Sequence, residues 1–189
     1  MPDRGRPYGR GAGYLIHRPP AARPRPDDAS PSHFWLMRRD LGGFIPQAQR
    51  PIGVTVVPFA AHLAPAAHDL LTEAYRNAEG SVPEYPAWLT AFERNPEFDR
   101  SLCFLAMVNA DAVGFISCWT SAFIKDLAVR DDYRQRGIGK ALLNHLFAHL
   151  RQHGERTVDL NVMENNLIAR CLYEKSDMSY VSRSPVTAS

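Results

Sequence analysis

The sequence predicts an α/β domain built on a mixed, mostly antiparallel sheet. Three observations carry this. Ser101 to Val108 (SLCFLAMV) and Ala112 to Trp119 (AVGFISCW) are apolar runs of strand length separated by Asn109-Ala110-Asp111, which reads as a hairpin. Phe123 to Val129 (FIKDLAV) is followed by a glycine-containing turn. After it Ile138, Ala141, Leu142, Leu146, Phe147 and Leu150 recur at helical spacing. Thr157 to Val162 (TVDLNV) then alternates, and a strand reached through such a crossover lies parallel to the one it left.

The remaining elements follow in order. Ile52 to Phe59 is β-branched and reads as a strand. His62 to Arg76 reads as a helix with Leu63, Ala67, Leu70, Leu71 and Ala74 on its apolar face and Pro65 in its first turn. Pro86 to Arg94 is a second, short helix ended by Asn95-Pro96. Gly154 stops the central helix. Asn165 or Asn166 caps a last helix reaching about Lys175, and Ser179 to Pro185 offers a final strand. Phe34-Trp35-Leu36-Met37 is a compact apolar run that would dock, if at all, as an extra edge strand. Met37 is also an alternative start.

Composition divides the chain near Pro51. Residues 1–51 hold 9 of the 22 Lys+Arg, 4 of the 20 Asp+Glu and 9 of the 15 prolines. They read as a basic, largely disordered extension of a domain at 52–189. The extension lacks lysine and is sparse in aromatics, so it reads as a solvated tail in preference to a nucleic-acid-binding arm. No apolar run approaches the ~18 residues of a membrane span, and no secretory signal is evident. The cysteines at 103, 118 and 171 are odd in number and without Cys-x-x-Cys spacing. That argues against a disulfide framework and a zinc site, and fits a reducing cytoplasm.

Arg134-Gln135-Arg136-Gly137-Ile138-Gly139-Lys140 lies where a strand passes into a helix. The first N–H groups of a helix have no intrahelical partner and carry partial positive charge, so an anionic phosphate is their natural occupant. Gly137 and Gly139 would keep Cβ atoms out of its way, and Arg134, Arg136 and Lys140 add full charges. The stretch reads as a pyrophosphate cradle. It is not the phosphate loop of an NTPase, because Ala141 follows the lysine and Arg134 stands where the first glycine belongs.

Two motifs, DLAV…YRQRGIGKALL from Asp126 to Leu143 and LNV…NLIARCLYEKSDM from Leu160 to Met178, resemble the GNAT superfamily of N-acetyltransferases. The match covers roughly residues 52–186. The resemblance implies a GNAT-type sheet with a central splayed parallel strand pair, helices on both faces, and acetyl-CoA as co-substrate. Arg134, Gln135, Arg136, Gly137, Ile138, Gly139 and Lys140 would hold the coenzyme pyrophosphate. The strand edge at Leu127, Ala128 and Val129 would pair with the pantetheine arm and polarise the thioester carbonyl. Asn166 matches a coenzyme-contacting asparagine, and Tyr173 the tyrosine that protonates the leaving thiolate. A phenol of pKa about 10 suits a thiolate of similar basicity. Asp126 is either a general base or a structural hydrogen-bond acceptor.

The chain departs from the family at Asp177-Met178, where Gly-Phe is usual. Asp tolerates the left-handed conformation required there, and Met fills most of a Phe cavity. Only a short tail follows, so the sheet either stops early or has its open edge covered by the run at Phe34 or by a second chain. His145, His149 and His153 share one side of the central helix with Asn144 and Gln152, and read as a solvated face in preference to a metal site. Glu73, Glu79 and Glu84 lie on the acceptor side. The expected function is acetyl transfer to a primary amine of a small molecule or peptide, by a monomer or homodimer without membrane or nucleic-acid partners. The alternatives are ribosomal-protein N-terminal acetylation and a non-catalytic acyl-CoA-binding module.

Overall fold

The computed structural model describes residues 33–45, 51–76 and 81–186. Its seven-stranded sheet has the order β2-β3-β4-β5-β6-β1-β7. In chain order the elements are β1 (His33–Asp40), β2 (Val54–Pro58), α1 (Ala64–Tyr75), α2 (Tyr85–Arg94), β3 (Phe98–Val108), β4 (Asp111–Trp119), β5 (Phe123–Val129), α3 (Ile138–Gln152), β6 (Thr157–Met163), α4 (Leu167–Glu174) and β7 (Ser179–Pro185). Only β5 and β6 pair in parallel, and the other neighbours are antiparallel. This is the mixed, mostly antiparallel sheet that the sequence predicts.

The helices lie on both faces because each turns one apolar stripe to the sheet. Ala67, Leu70 and Leu71 of α1 and Trp88 and Phe92 of α2 meet Leu105, Phe115 and Trp119. Ile138, Leu142, Leu146, Phe147 and Leu150 of α3 meet Ile116, Val158 and Leu160 on the opposite side, together with Tyr173 and Met178. Truncating one of the large buried aliphatics to Ala costs about 2–5 kcal/mol. Among the described residues no helix is long and apolar enough to cross a membrane.

Two expectations change. The N-terminal run is no extra edge. β1 lies between β6 and β7, with Phe34 opposite Met163 on one side and Ser184 on the other. The sheet therefore crosses the compositional boundary at Pro51 and includes residues of the presumed extension, whose first 32 residues lie outside the described ones. Met37 and Leu41 are fully buried on the α3 side, and Arg39 follows the same alternation inward. It is tolerated there because its guanidinium donates to the Ser176 and Phe44 carbonyls at 2.7 and 3.0 Å, pairs with Asp177 at 2.8 Å and covers the Phe147 ring. Arg38 points to the other face and holds Asp159 of β6 through two contacts of 2.7 Å.

The histidine face is the second change. His145 and His149 lay their rings edge-on to Phe104 at 4.6 and 5.2 Å, and Asn144 is buried. α3 sits deep enough on the sheet that these positions are partly covered. No metal-binding group of three side chains occurs among the described residues. The turn at Asp177 is left-handed (φ 57°) and Met178 is buried, as the sequence departure requires.

Candidate active site

The site begins where β5 and β6 part. They pair only at Phe123 with Asp159 and Ile124 with Leu160, although β5 continues to Val129 and β6 to Met163. A bulge in β5 accompanies the parting. Ser117 faces Asp126 and Cys118 faces Ile124, so Lys125 is the extra residue in the register. Such an extra residue bends its strand and sharpens the twist. It also exchanges the faces of the residues beyond it, so Ile124 packs with the α3 cluster while Asp126 and Ala128 turn toward α1.

Beyond the bulge the backbone alternates. The Arg130 N–H donates to the Val113 carbonyl at 3.0 Å, which makes Ala128 and Phe115 a hydrogen-bonded pair and turns the main chain of Leu127 and Val129 into the gap. Of the three edge residues proposed from sequence, Ala128 is therefore placed differently from Leu127 and Val129. Its backbone is committed to β4 and its methyl is buried.

β5 leads into a 3-10 turn at Asp131–Tyr133 and then into the cradle. Gln135 (φ 59°) and Gly137 (φ 81°) are both left-handed, which reverses the chain into α3. No side chain caps that helix, and its first backbone bond is from the Ala141 N–H to the Gly137 carbonyl. The N–H groups of Ile138, Gly139 and Lys140 are thus without helical acceptors. A Cβ on Gly137 would meet only Pro51, whereas one on Gly139 would come within 3.0 Å of Leu172 in α4. The second glycine accordingly makes room for Leu172 of α4. Arg134 is committed as well. It pairs with Asp131 at 2.6 Å and donates to the Val129 carbonyl at 3.2 Å. Arg136 and Lys140 make no ion pair among the described residues. Arg136 lies over one side of the Tyr133 ring system at 4.8 Å, with Arg130 at 4.5 Å. Open N–H groups, a reversed backbone and two unpaired cations fit a pyrophosphate.

From the other side α4 delivers Asn166 and Tyr173. The Asn166 side chain accepts from the Ala169 N–H at 3.1 Å, so Asn166 is the cap chosen from the two candidates. Tyr173 is 9% exposed, and its hydroxyl has no hydrogen-bond partner among the described residues. Burial, with the charge of Asp126 second, pushes the phenol up to about 12.

Asp126 is 8% exposed and has no cationic partner among the described residues. It accepts from the Ser117 hydroxyl at 3.0 Å and from the Tyr75 hydroxyl at 3.2 Å. The charge of Asp126, then burial, raises the Tyr75 phenol well above its usual range. Neither Ser117 nor Tyr75 was singled out from sequence. Tyr75 ends α1 one turn after Leu71, so it reads as one more packing position on the apolar stripe. Glu73 accepts from the Asp131 N–H at 3.2 Å and braces the turn before the cradle. Glu84 is exposed at the start of α2, and Glu79 lies outside the described residues.

Comparisons with known proteins agree with this geometry. The family model for Acetyltransferase (GNAT) family matches residues 64–178. The chain is 34% identical over 158 residues to mycothiol acetyltransferase of Geodermatophilus obscurus, covering 74% of this chain and 50% of that one. It is 34% identical over 91 residues to the [ribosomal protein bS18]-alanine N-acetyltransferase of Haemophilus influenzae, covering 47% and 62%. A GCN5-related N-acetyltransferase structure from Sphaerobacter thermophilus superposes with a TM-score of 0.70 at 26% identity, over 82% of this chain and 50% of that one. The chain thus spans about half the length of several of these relatives.

Proposed function

The chain belongs to the GNAT acetyltransferase family, and on that premise we propose that it moves an acetyl group from acetyl-CoA to a primary amine of a small molecule or peptide, by direct attack in a ternary complex. The observation that carries the proposal is the buried, cation-free Asp126 carboxylate beside the partner-free Tyr173 hydroxyl, at the mouth of a strand gap that opens next to the α3 cradle. A buried carboxylate without a cation is costly to the fold, and such groups concentrate at functional sites.

Acetyl-CoA supplies the activated acetyl thioester. The cradle from Arg134 to Lys140 binds the pyrophosphate, chiefly through the N–H groups of Ile138, Gly139 and Lys140 with Arg136 and Lys140 beside them. The N–H groups of Leu127 and Val129 face the gap, where one of them polarises the thioester carbonyl. Asn166 holds the start of α4 against the coenzyme. Asp126 takes one proton from the ammonium, directly or through water, and so frees the lone pair that attacks. The new C–N bond forms and the C–S bond breaks. Tyr173 gives its proton to the departing sulfur and recovers one from the amide nitrogen, and Asp126 returns its proton to solvent. The balance is one ammonium and one thioester in, one amide, one thiol and one proton out.

One relative is named for mycothiol and the other for an alanine of ribosomal protein bS18. The second name supports an N-acetyl transfer and keeps peptide N-terminal acetylation as the competing reading. The three free thiols suit a reducing, cytoplasmic setting. The test is thiol release from acetyl-CoA with amine and peptide libraries. Turnover with an amine, and a Tyr173→Phe variant that loses about 10²–10³ in kcat while keeping its acetyl-CoA affinity, is the expected result. Intact acetyl-CoA binding without turnover on any acceptor would instead establish a binding module.

A further inference from the structure

We propose that Tyr75 is a positioning residue of the transfer reaction: together with Ser117 it clamps the Asp126 carboxylate at the parting of β5 and β6, so that the carboxylate meets the amine in one orientation. The inference rests on the reading of Asp126 as the amine's base, and it extends that reading to a residue on another element.

The geometry is specific. The two hydroxyls reach different carboxylate oxygens. Tyr75 donates to Oδ1 from α1, and Ser117 donates to Oδ2 from the neighbouring strand. Each oxygen is then left with acceptor capacity for one further proton donor. The groups that face Asp126 are Ser117 on β4, Tyr75 on α1, Tyr173 on α4, and Cys103, the cross-strand partner of Ser117 on β3. None is a cation, so among the described residues the carboxylate is held in place by hydroxyl donors. A lysine or arginine would hold it more strongly, but it would also occupy the place of the ammonium and repel it.

Packing alone does not call for a tyrosine at position 75. Its ring continues the stripe of Ala67 and Leu71 into the cluster with Trp88, Phe92 and Phe115, and phenylalanine would fill the same space. The hydroxyl is the part that hydrogen-bonds Asp126. It also links the acceptor-side helix directly to the strand that carries the base.

The experiment compares Tyr75→Phe, Ser117→Ala, Asp126→Asn and Tyr75→Phe/Asp126→Asn in the full chain, by pH–rate profile, acetyl-CoA affinity and Tm. In Tyr75→Phe, kcat should fall about 10- to 100-fold, the loss expected on removing one hydrogen bond to a charged group. The acid limb of the profile should move up by about one pH unit, because a carboxylate with fewer donors ionises later. Acetyl-CoA affinity should stay near the parent value, and Tm should fall by about 3–6 °C, the linkage cost of a one-unit shift. Ser117→Ala should shift the same limb in the same direction, and the double variant should be no slower than Asp126→Asn alone. An unmoved profile in both hydroxyl variants overturns the proposal, as does an additive double variant or a collapse of acetyl-CoA affinity in Tyr75→Phe. If Asp126→Asn abolishes turnover while Tyr75→Phe does not slow it, only the role of Tyr75 falls. If Asp126→Asn turns over normally, the base assignment falls and this inference with it.

Discussion

Gly137 separates the geometry of the cradle from its charge. The residue sits at φ 81°, ψ 3°, just before α3. An Ala there pays the left-handed penalty of about 1–2 kcal/mol. It gains no clash, since its Cβ would meet only the Pro51 side chain at 3.6 Å. Gly137→Ala should therefore lower Tm by about 2–8 °C, at 2–4 °C per kcal/mol for a chain of this size. Gly137→Asp carries no more backbone strain, since Asp tolerates the left-handed region better than Ala, and adds a carboxylate beside the open N–H groups. At roughly 4 Å and an effective dielectric near 20, one repelling charge costs about 4 kcal/mol. Acetyl-CoA should then bind the Asp variant about 10²- to 10³-fold more weakly than the Ala variant. Tm of the two should differ little, because a carboxylate at a helix start recovers about 0.3–1 kcal/mol. The assay is calorimetric titration with acetyl-CoA beside thermal unfolding. Equal affinity of the Ala and Asp variants would refute the anion cradle, and an unchanged Tm in Gly137→Ala would refute the strain argument.

Three further outcomes follow from the contacts described. Asn166→Ala removes the acceptor for the Ala169 N–H and should cost about 0.5–2 kcal/mol, measurable by urea unfolding. Burial pushes the Cys103 thiol up from 9.0 to about 12 and the Tyr173 phenol up from 10.0 to about 12. A raised folded-state pKa means that the folded chain holds protons the unfolded chain releases, so stability is full below pH 9 and should decline from there to about pH 12, with less of that decline in Tyr173→Phe, as followed by Tm against pH. A chain that starts at His33 keeps the whole of β1 and is the reference. Starting at Met37 also deletes Phe34, Trp35 and Leu36 with their pairings to β6 and β7, and should lower Tm by about 5 °C or more and deprotect β7 in amide exchange.

The central strand, the cradle and α3 are legible in sequence because everything that shapes them is local. The apolar alternation of β5, the left-handed positions before the helix and the stripe of α3 lie within one short stretch. Asn166 and Tyr173 are legible because they recur in a motif at fixed spacing. What escaped depends on partners distant in sequence. Arg38 meets Asp159 across 121 positions, so an apolar run ending in two arginines reads as surface until β6 is beside it. Tyr75 reaches Asp126 across 51 positions, and only because the bulge at Lys125 turns the carboxylate toward α1. The room that Gly139 makes for Leu172 shows only once α4 lies beside it.

The place of β1 has a consequence for how the chain is made. β1 leaves the ribosome before the other strands of the sheet, yet its two neighbours are β6 and β7, which follow all the rest. Until then its N–H and C=O groups have no native strand partner, and Met37 and Leu41 have no core to enter. The α1–α2 layer, the β3–β4 hairpin and the β5–α3 cradle can assemble while β1 waits. Closure of the sheet is then a long-range and late step, of the kind that sets slow folding rates and leaves an apolar strand open to wrong pairing. The nascent chain can hold the β5–α3 turn ready before it can hold itself shut.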